Sequence, residues 1–236
     1  MLQTQRGRRH RRPPQLELDL RPHRRGGKRK GAGRPRKNVD ILHLRRPDLS
    51  RHVPVHATLR VRPDVPRLRR FDAYPALRSA IAAAHKPGFR VCEYSVQQNH
   101  IHLIVEADDR IRLARGMQGL AIRMARGVNR RVGRRGPLLQ HRYHARQLRT
   151  PREVRIALVY VLRNHTHHSG ASAEVDDCSS GPWFTGWAYP IRDMRILAER
   201  GPRATAPPKT WLLVRGWRER GGGPLTFRDR PAPAAP

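Results

Sequence analysis

The hydrophobic positions in the central part of the chain change their spacing several times, and each change predicts a different element. Residues 53–62 alternate between apolar and polar side chains, which predicts a β-strand. Residues 71–85 place apolar side chains three and four positions apart, as one face of an amphipathic helix requires. The runs 89–96 and 100–106 are strand-like and are separated by a polar connection of hairpin length. The core therefore begins with a strand, a helix and a β-hairpin.

A second helix, a fourth strand and a third helix complete the predicted core. Residues 111–132 bury one apolar stripe, and residues 143–149 can supply a strand. The Thr-Pro-Arg-Glu sequence at 150–153 is a capping box with proline at the first helical position, so a helix starts there and runs to about residue 164. This order predicts an α+β fold, a ferredoxin-like sandwich with two helices on one face of an antiparallel sheet and one additional helix.

The two flanking parts of the chain lack this periodicity. Residues 1–50 are rich in Arg, Gly and Pro, which predicts a disordered basic arm. Around Arg34 and Arg36 the arm resembles an AT-hook, a Gly-Arg-Pro core that binds a narrow minor groove; a nonspecific basic tail is the alternative. Residues 171–236 are expected to form a loosely ordered, Gly- and Pro-rich extension, apart from an apolar piece around residues 211–217. One catalytic domain is then expected at residues 51–170.

The charge balance narrows the class of partner. Fifty Lys and Arg residues against 18 Asp and Glu give a formal net charge of +32, which attracts polyanions and predicts a nucleic acid as the partner. The second predicted helix gathers part of this charge on one arc without acidic residues a turn away, so we expect DNA-backbone contact there rather than a merely solvated face. The arc consists of Arg112, Arg115, Arg123, Arg126 and Arg130.

Other sequence features restrict the compartment. No run approaches the roughly eighteen apolar residues of a membrane span, and no apolar segment follows the basic first residues, so neither a membrane protein nor a signal peptide is expected. Cys92 and Cys178 are isolated and do not suggest a disulfide framework. We expect a cytoplasmic, nucleoid-associated protein.

His100 and His102 open the third predicted strand. Because side chains alternate across a strand, both imidazoles face one side while Ile101 turns into the core, and such a pair can bind a divalent cation. The spacing alone is not specific, since His165 and His167 form a second pair. What favours the first pair is its place in the predicted sheet of a strongly basic chain.

The third predicted helix presents Tyr160 and Asn164 on one side, four residues apart. A phenol with its usual pKa near 10 is a poor nucleophile at neutral pH, so attack on a phosphodiester needs help from a bound metal. A structural tyrosine at the rim of the core is the alternative. Tyr143 is the competing nucleophile, but it lies at the entry to a strand rather than on the capped helix.

Four blocks of sequence carry a resemblance to a known family: HATLR at 56–60, QNHIHLI at 98–104, QHRYHAR at 140–146 and YVLRN at 160–164. In order and spacing they resemble the REP-associated tyrosine transposases, relatives of the small single-tyrosine insertion-sequence transposases of the His-hydrophobic-His (HUH) nuclease superfamily. The resemblance implies a transposase that cleaves and rejoins single-stranded or hairpin DNA.

The same resemblance implies the roles of individual residues. His100, His102 and Asn164 would bind Mg²⁺ or Mn²⁺, and Tyr160 would become joined to a 5′ phosphate while a 3′ hydroxyl leaves, without ATP. Family members commonly continue Asn-Pro-Val-Arg, whereas this chain has Asn-His-Thr-His-His at 164–168. A histidine among positions 165, 167 and 168 could therefore replace Asn164.

Two other functions compete with this interpretation. The first is a catalytically inactive DNA-binding protein that uses the arm, the arginine helix and the sheet edge. The second is a two-histidine phosphoesterase, suggested by His56 and Thr58, but that chemistry needs a second such motif and the chain has no convincing copy. The sequence leaves open whether the protein is a monomer or a homodimer.

Overall fold

The strands and helices occur in the predicted order. The structure is a computed structural model that describes residues 47–70, 72–165, 174–193, 195–196 and 201–231. The seven elements of the core are β1 (Val55–Arg60), α1 (Tyr74–Ala82), β2 (Phe89–Val96), β3 (His100–Ala107), α2 (Arg110–Val132), β4 (His144–Gln147) and α3 (Pro151–Arg163). Within this described part, no helix is both long and apolar enough to cross a membrane.

The four strands form one antiparallel sheet in the order β2-β3-β1-β4. This order places β3, which carries the histidine pair, in the interior of the sheet beside β1. Thr58 of β1 is the direct cross-strand partner of His102, and Arg60 is the partner of His100. The α+β, ferredoxin-like architecture predicted from the sequence is confirmed.

The two faces of the sheet are covered by different helices. Ile101 and Leu103 of β3 belong to the larger core, together with the buried residues of α1 and α2. Ile104 belongs to a second core, together with Val154 and Leu158 of α3. Because side chains alternate along a strand, His100 and His102 lie on the same face as Ile104, the face that α3 covers.

The ends of the helices follow from local chemistry. Thr150 and Glu153 form the predicted capping box, in which the Glu153 amide donates to Thr150 Oγ1 at 3.2 Å and the Thr150 amide donates to Glu153 Oε2 at 3.1 Å. Helix α1 starts at Tyr74 rather than at residue 71, because Pro75 has no backbone N–H and is tolerated only in a first turn.

The apolar piece around residues 211–217, which the sequence sets apart from the loosely ordered extension expected at residues 171–236, packs against α3. A π-helical turn, Leu212–Gly216, and the short helix α4, Trp217–Glu219, contact α3. The side chain of Trp217 is 2% exposed and belongs to the core that α3 builds. The Glu106 carboxylate of β3 accepts hydrogen bonds from the Lys209 and Thr210 amides at 2.8 and 2.9 Å. Because the packing partners of this segment are distant in sequence, its packing could not be predicted from the local pattern of hydrophobic residues.

Candidate active site

The two predicted metal-binding histidines lie side by side at the start of β3. Their ring centroids are 4.7 Å apart and the rings are nearly perpendicular. His102 is buried, with 3% of its surface exposed, and His100 is half-buried. The Nδ1 atom of His100 lies 2.7 Å from the side-chain oxygen of Asn99 in the β2–β3 turn. Strand alternation thus brings both imidazoles to one face, as the sequence predicted.

Tyr160 projects from α3 onto the same part of the sheet. Its ring centroid lies 4.9 Å from that of His102, with an interplanar angle of 84°. Burial raises the pKa of the Tyr160 phenol above its ordinary value of 10. The phenol is therefore protonated at neutral pH and requires electrostatic help before it can attack a phosphorus atom.

A pocket of about 400 Å³ joins these side chains. It brings together three of the four predicted catalytic and metal-binding residues. The guanidinium of Arg60 lines it and no carboxylate does, so the charge of the lining side chains favours a bound anion such as phosphate. Its lining residues are Thr58, Arg60, Asn99, His100, His102, His144 and Tyr160.

Asn164, the fourth predicted site residue, is not among the residues that line this pocket. It follows the last residue of α3 and is 3% exposed, and its Nδ2 atom has no hydrogen-bond partner among the described residues. The neighbouring His165 is also buried, at 5% exposure. His167 and His168, like Arg34 and Arg36 of the arm, lie outside the described residues.

Strand β1 supplies polar residues that the sequence analysis did not assign to the site of the histidine pair. Thr58 Oγ1 and His56 Nε2 lie 3.2 and 3.3 Å from His102 Nδ1. The His56 ring also meets the Tyr160 ring edge-on, at 5.7 Å between centroids. The alternation of polar residues in β1 already predicts that His56, Thr58 and Arg60 share one face of the strand. Only the register of β1 with β3 shows that this face adjoins the histidine pair.

Burial also sets the charge of the site. Burial and, to a smaller extent, the neighbouring His144 and Arg146 together lower the pKa of His56 to about 4. His56 is therefore a neutral imidazole at physiological pH. His144 is the cross-strand partner of Thr58 on β4, so both side chains lie on the face of the histidine pair.

Tyr143, the competing nucleophile, lies just before β4 and packs against the core formed by α1 and α2. It does not line the pocket that contains the histidine pair. Tyr160 does line this pocket, and it contacts His102 of the pair.

The arginine arc of α2 has the exposure expected from its helical spacing. Arg112, Arg115, Arg126 and Arg130 are exposed and Arg123 is partly exposed. Helix α2, however, packs on the face of the sheet opposite to α3. DNA that contacted both the arc and the pocket would have to pass around the edge of the sheet.

Asp176, Asp177 and Cys178 are the other cluster that could hold a cation among the described residues. Both carboxylate oxygens of Asp176 accept hydrogen bonds from Arg69, at 2.8 and 2.7 Å. Burial raises the pKa of the Cys178 thiol to about 12, so it is not a thiolate at neutral pH. The cluster is explained by its ion pair with Arg69.

The donor set of the pocket fits a divalent cation. Two neighbouring imidazoles supply nitrogen ligands, and the remaining volume admits water and a phosphate oxygen. Oxygen ligands of this kind are the ones that hard cations such as Mg²⁺ and Mn²⁺ prefer. An incomplete protein ligand set of this kind leaves positions open for a substrate.

Fold and pocket together define a class of protein: an α+β domain in which a sheet strand presents two histidines to a tyrosine on a neighbouring helix. Residues 68–167 match the family model described as "Transposase IS200 like". This part of the chain is therefore similar to the IS200-like transposases. The sequence-based prediction of a transposase of the small insertion-sequence type is confirmed at this level.

The chain was also compared with curated proteins and with solved structures. No curated protein matches this chain. Among solved structures, the chain is similar to one described as "Structure of the REP associates tyrosine transposase bound to a REP hairpin", with 15% sequence identity and a TM-score of 0.47. The similarity covers 72% of this chain and 93% of that chain.

Proposed function

We propose that the protein cleaves and rejoins one DNA strand, with Tyr160 as nucleophile and with His100 and His102 as ligands of a divalent cation. The observation that carries this proposal is the contact between the Tyr160 ring and the His102 ring, 4.9 Å apart in a pocket that also contains Arg60. A phenol, two imidazoles and a guanidinium are the groups that attack on a phosphodiester needs.

In the proposed reaction the Tyr160 oxygen forms a bond to phosphorus, and the bond from phosphorus to the 3′ oxygen of the upstream nucleotide breaks. The phenol loses its proton, the departing 3′ oxygen gains one, and the downstream strand remains joined to the protein by a 5′-phosphotyrosine linkage. A bound cation supplies charge neutralisation at the phosphate oxygens. Attack by another 3′ hydroxyl reverses the step, so the bond energy is conserved and no ATP is consumed.

Four residues besides Tyr160 have a part in this scheme. His100 and His102 hold the cation, and Asn164, one helical turn beyond Tyr160, is the third ligand that the family resemblance implies. Arg60 binds a phosphate oxygen beside the scissile bond. We infer that the substrate is single-stranded or hairpin DNA, that the protein belongs to the REP-associated branch, and that it acts on chromosomal DNA in the cytoplasm.

The proposal is tested by trapping the covalent intermediate. An oligonucleotide hairpin with a single-stranded extension is labelled at its 3′ end and incubated with the protein and Mn²⁺, and denaturing gels report any labelled protein. We expect a labelled adduct that EDTA prevents, that Tyr160→Phe abolishes and that Tyr143→Phe retains. The same oligonucleotide labelled at its 5′ end should give no labelled adduct.

Several outcomes contradict the proposal. An adduct that persists in Tyr160→Phe excludes this tyrosine as the nucleophile, and a 5′-labelled adduct gives the opposite polarity of cleavage. DNA binding without an adduct on any hairpin substrate, with Mn²⁺ present, indicates the catalytically inactive DNA-binding protein instead.

A further inference from the structure

The polar motif of β1, His56 and Thr58, has no part in the reaction described above. Sequence analysis connected it with a different enzyme class, the two-histidine phosphoesterases. In the structure both side chains reach a single atom of a proposed metal ligand, Nδ1 of His102, at 3.3 and 3.2 Å. The motif therefore acts on His102.

A neutral imidazole carries one N–H and one lone pair, and only the nitrogen with the lone pair can bind a cation. A polar group that accepts a hydrogen bond from one ring nitrogen fixes the tautomer and directs the other nitrogen towards the metal. Thr58 Oγ1 and His56 Nε2 can each accept a hydrogen bond from Nδ1–H of His102. In that tautomer Nε2 of His102 carries the lone pair.

The register of the sheet holds this arrangement. Thr58 is directly opposite His102 across the β1–β3 ladder, so its hydroxyl is held beside the ring by backbone pairing. At His100 the carboxamide oxygen of Asn99 lies 2.7 Å from Nδ1, in the same relation to the ring. Both histidines of the pair thus have their Nδ1 atoms engaged by neighbouring polar groups.

His56 also connects the ligand to the nucleophile. It lies 3.3 Å from His102 Nδ1, and its ring meets Tyr160 edge-on at an interplanar angle of 67°. Its displacement would remove one contact of the His102 imidazole and one contact of the Tyr160 ring.

We propose that Thr58 and His56 are positioning residues that hold His102 as its Nδ1–H tautomer, so that Nε2 is the atom that binds the cation. This inference rests on the proposed function for its consequence in catalysis. The tautomer itself can be measured without metal or DNA, so the two proposals can fail separately.

The first test is the tautomeric state of His102, measured by ¹⁵N–¹H correlation of the histidine rings in the whole protein, with His102→Gln to assign the signal. We expect the wild type and Thr58→Ser to show the Nδ1–H tautomer. The double variant His56→Phe/Thr58→Val removes both acceptors with little change in volume, and we expect a mixture of tautomers. A wild-type His102 that carries its proton on Nε2 overturns the inference.

The second test is Mn²⁺ affinity, read from the electron paramagnetic resonance signal of free Mn²⁺. Loss of groups that orient a metal ligand weakens binding by about 10- to 100-fold. We expect a loss in that range for His56→Phe/Thr58→Val and near-wild-type affinity for Thr58→Ser. Unchanged affinity in a folded double variant overturns the positioning role. A wild type that binds no Mn²⁺ contradicts the proposed function, while the tautomer result still decides this inference.

Discussion

Burial changes the protonation of individual side chains at this sheet, and the direction depends on the group. Burial disfavours the anions of the Tyr160 phenol and the Glu93 carboxyl and so raises their pKa values, and it disfavours the cation of the His56 imidazole and so lowers its pKa. Glu93 of β2 is 4% exposed, and burial raises its pKa to about 7 although Ser180 donates a hydrogen bond to it at 2.5 Å.

The raised pKa of Glu93 predicts how the stability of the protein depends on pH. Because its pKa is raised from 4.5 to about 7 by folding, its contribution to stability is fully present below pH 4.5 and is lost as the pH rises to about 7. The free energy of unfolding of the wild type relative to Glu93→Gln should fall by about 3 kcal/mol across this window. Urea titrations at several pH values measure the difference.

Glu219→Gln is the control for this experiment, since Glu219 is exposed. Its difference from the wild type should stay nearly constant over the same window. A wild-type protein that gains stability relative to Glu93→Gln as the pH rises would mean that the native carboxyl is ionised and paired, for example with Arg203, whose guanidinium lies 3.9 Å away.

Individual site residues could be predicted only where one element determines their position. Strand alternation was sufficient to place His100 and His102 on one face, and the capped helix was sufficient to prefer Tyr160. The role of Thr58 could not be predicted in this way. Its proximity to His102 depends on the pairing of β1 with β3, and one strand's sequence does not determine its register with another.

At the scale of elements, α3 is held at its start by the capping box and along its length by the C-terminal segment. The first of these was predicted, because a capping box is local in sequence. The packing of α4 was not predicted, because it buries Trp217 against residues more than fifty positions away and leaves no periodic signal in so short a helix. The helix that carries Tyr160 therefore depends on a part of the chain outside the family match.

The C-terminal contribution to stability can be measured with two tryptophans. Trp217 is 2% exposed and its indole N–H donates to the Leu213 carbonyl at 2.9 Å. Trp217→Ala should lower the free energy of unfolding by about 3–5 kcal/mol, the usual loss for a buried tryptophan. Trp211, in the preceding turn, is 45% exposed, and Trp211→Ala should cost much less. Equal losses in urea denaturation would argue against α4 as part of the core.

At the scale of the whole molecule, arginines among the described residues lie on both faces of the sheet, Arg60 at the pocket and the arginine arc on α2. The pocket lies beneath α3, whereas the arginine arc lies on α2 across the sheet. Charge alone therefore predicts nucleic-acid binding without indicating which surface contacts the nucleic acid. Matched variants can separate specific contacts from the general attraction of a basic protein.

The comparison uses two sets of three exposed arginines, each replaced by glutamine. The first set lies on α2: Arg112, Arg115 and Arg126. The control set lies in the C-terminal segment: Arg215, Arg218 and Arg220. If α2 contacts phosphates, the first set should reduce the slope of log affinity against log salt concentration by about 2, since each contact contributes about 0.7–0.9. Equal effects of both sets in fluorescence-anisotropy titrations would mean that only net charge matters.

The central claim is that two imidazoles of β3 and the phenol of α3 act on one cation-bound phosphate. The most direct measurement is anomalous diffraction at the manganese edge from crystals of Tyr160→Phe with Mn²⁺ and a hairpin oligonucleotide. The account predicts a peak bonded to Nε2 of both His100 and His102, with a DNA phosphate between it and residue 160. A peak at Asp176 and Asp177 instead, or a phosphate on the far side of the sheet, would contradict it.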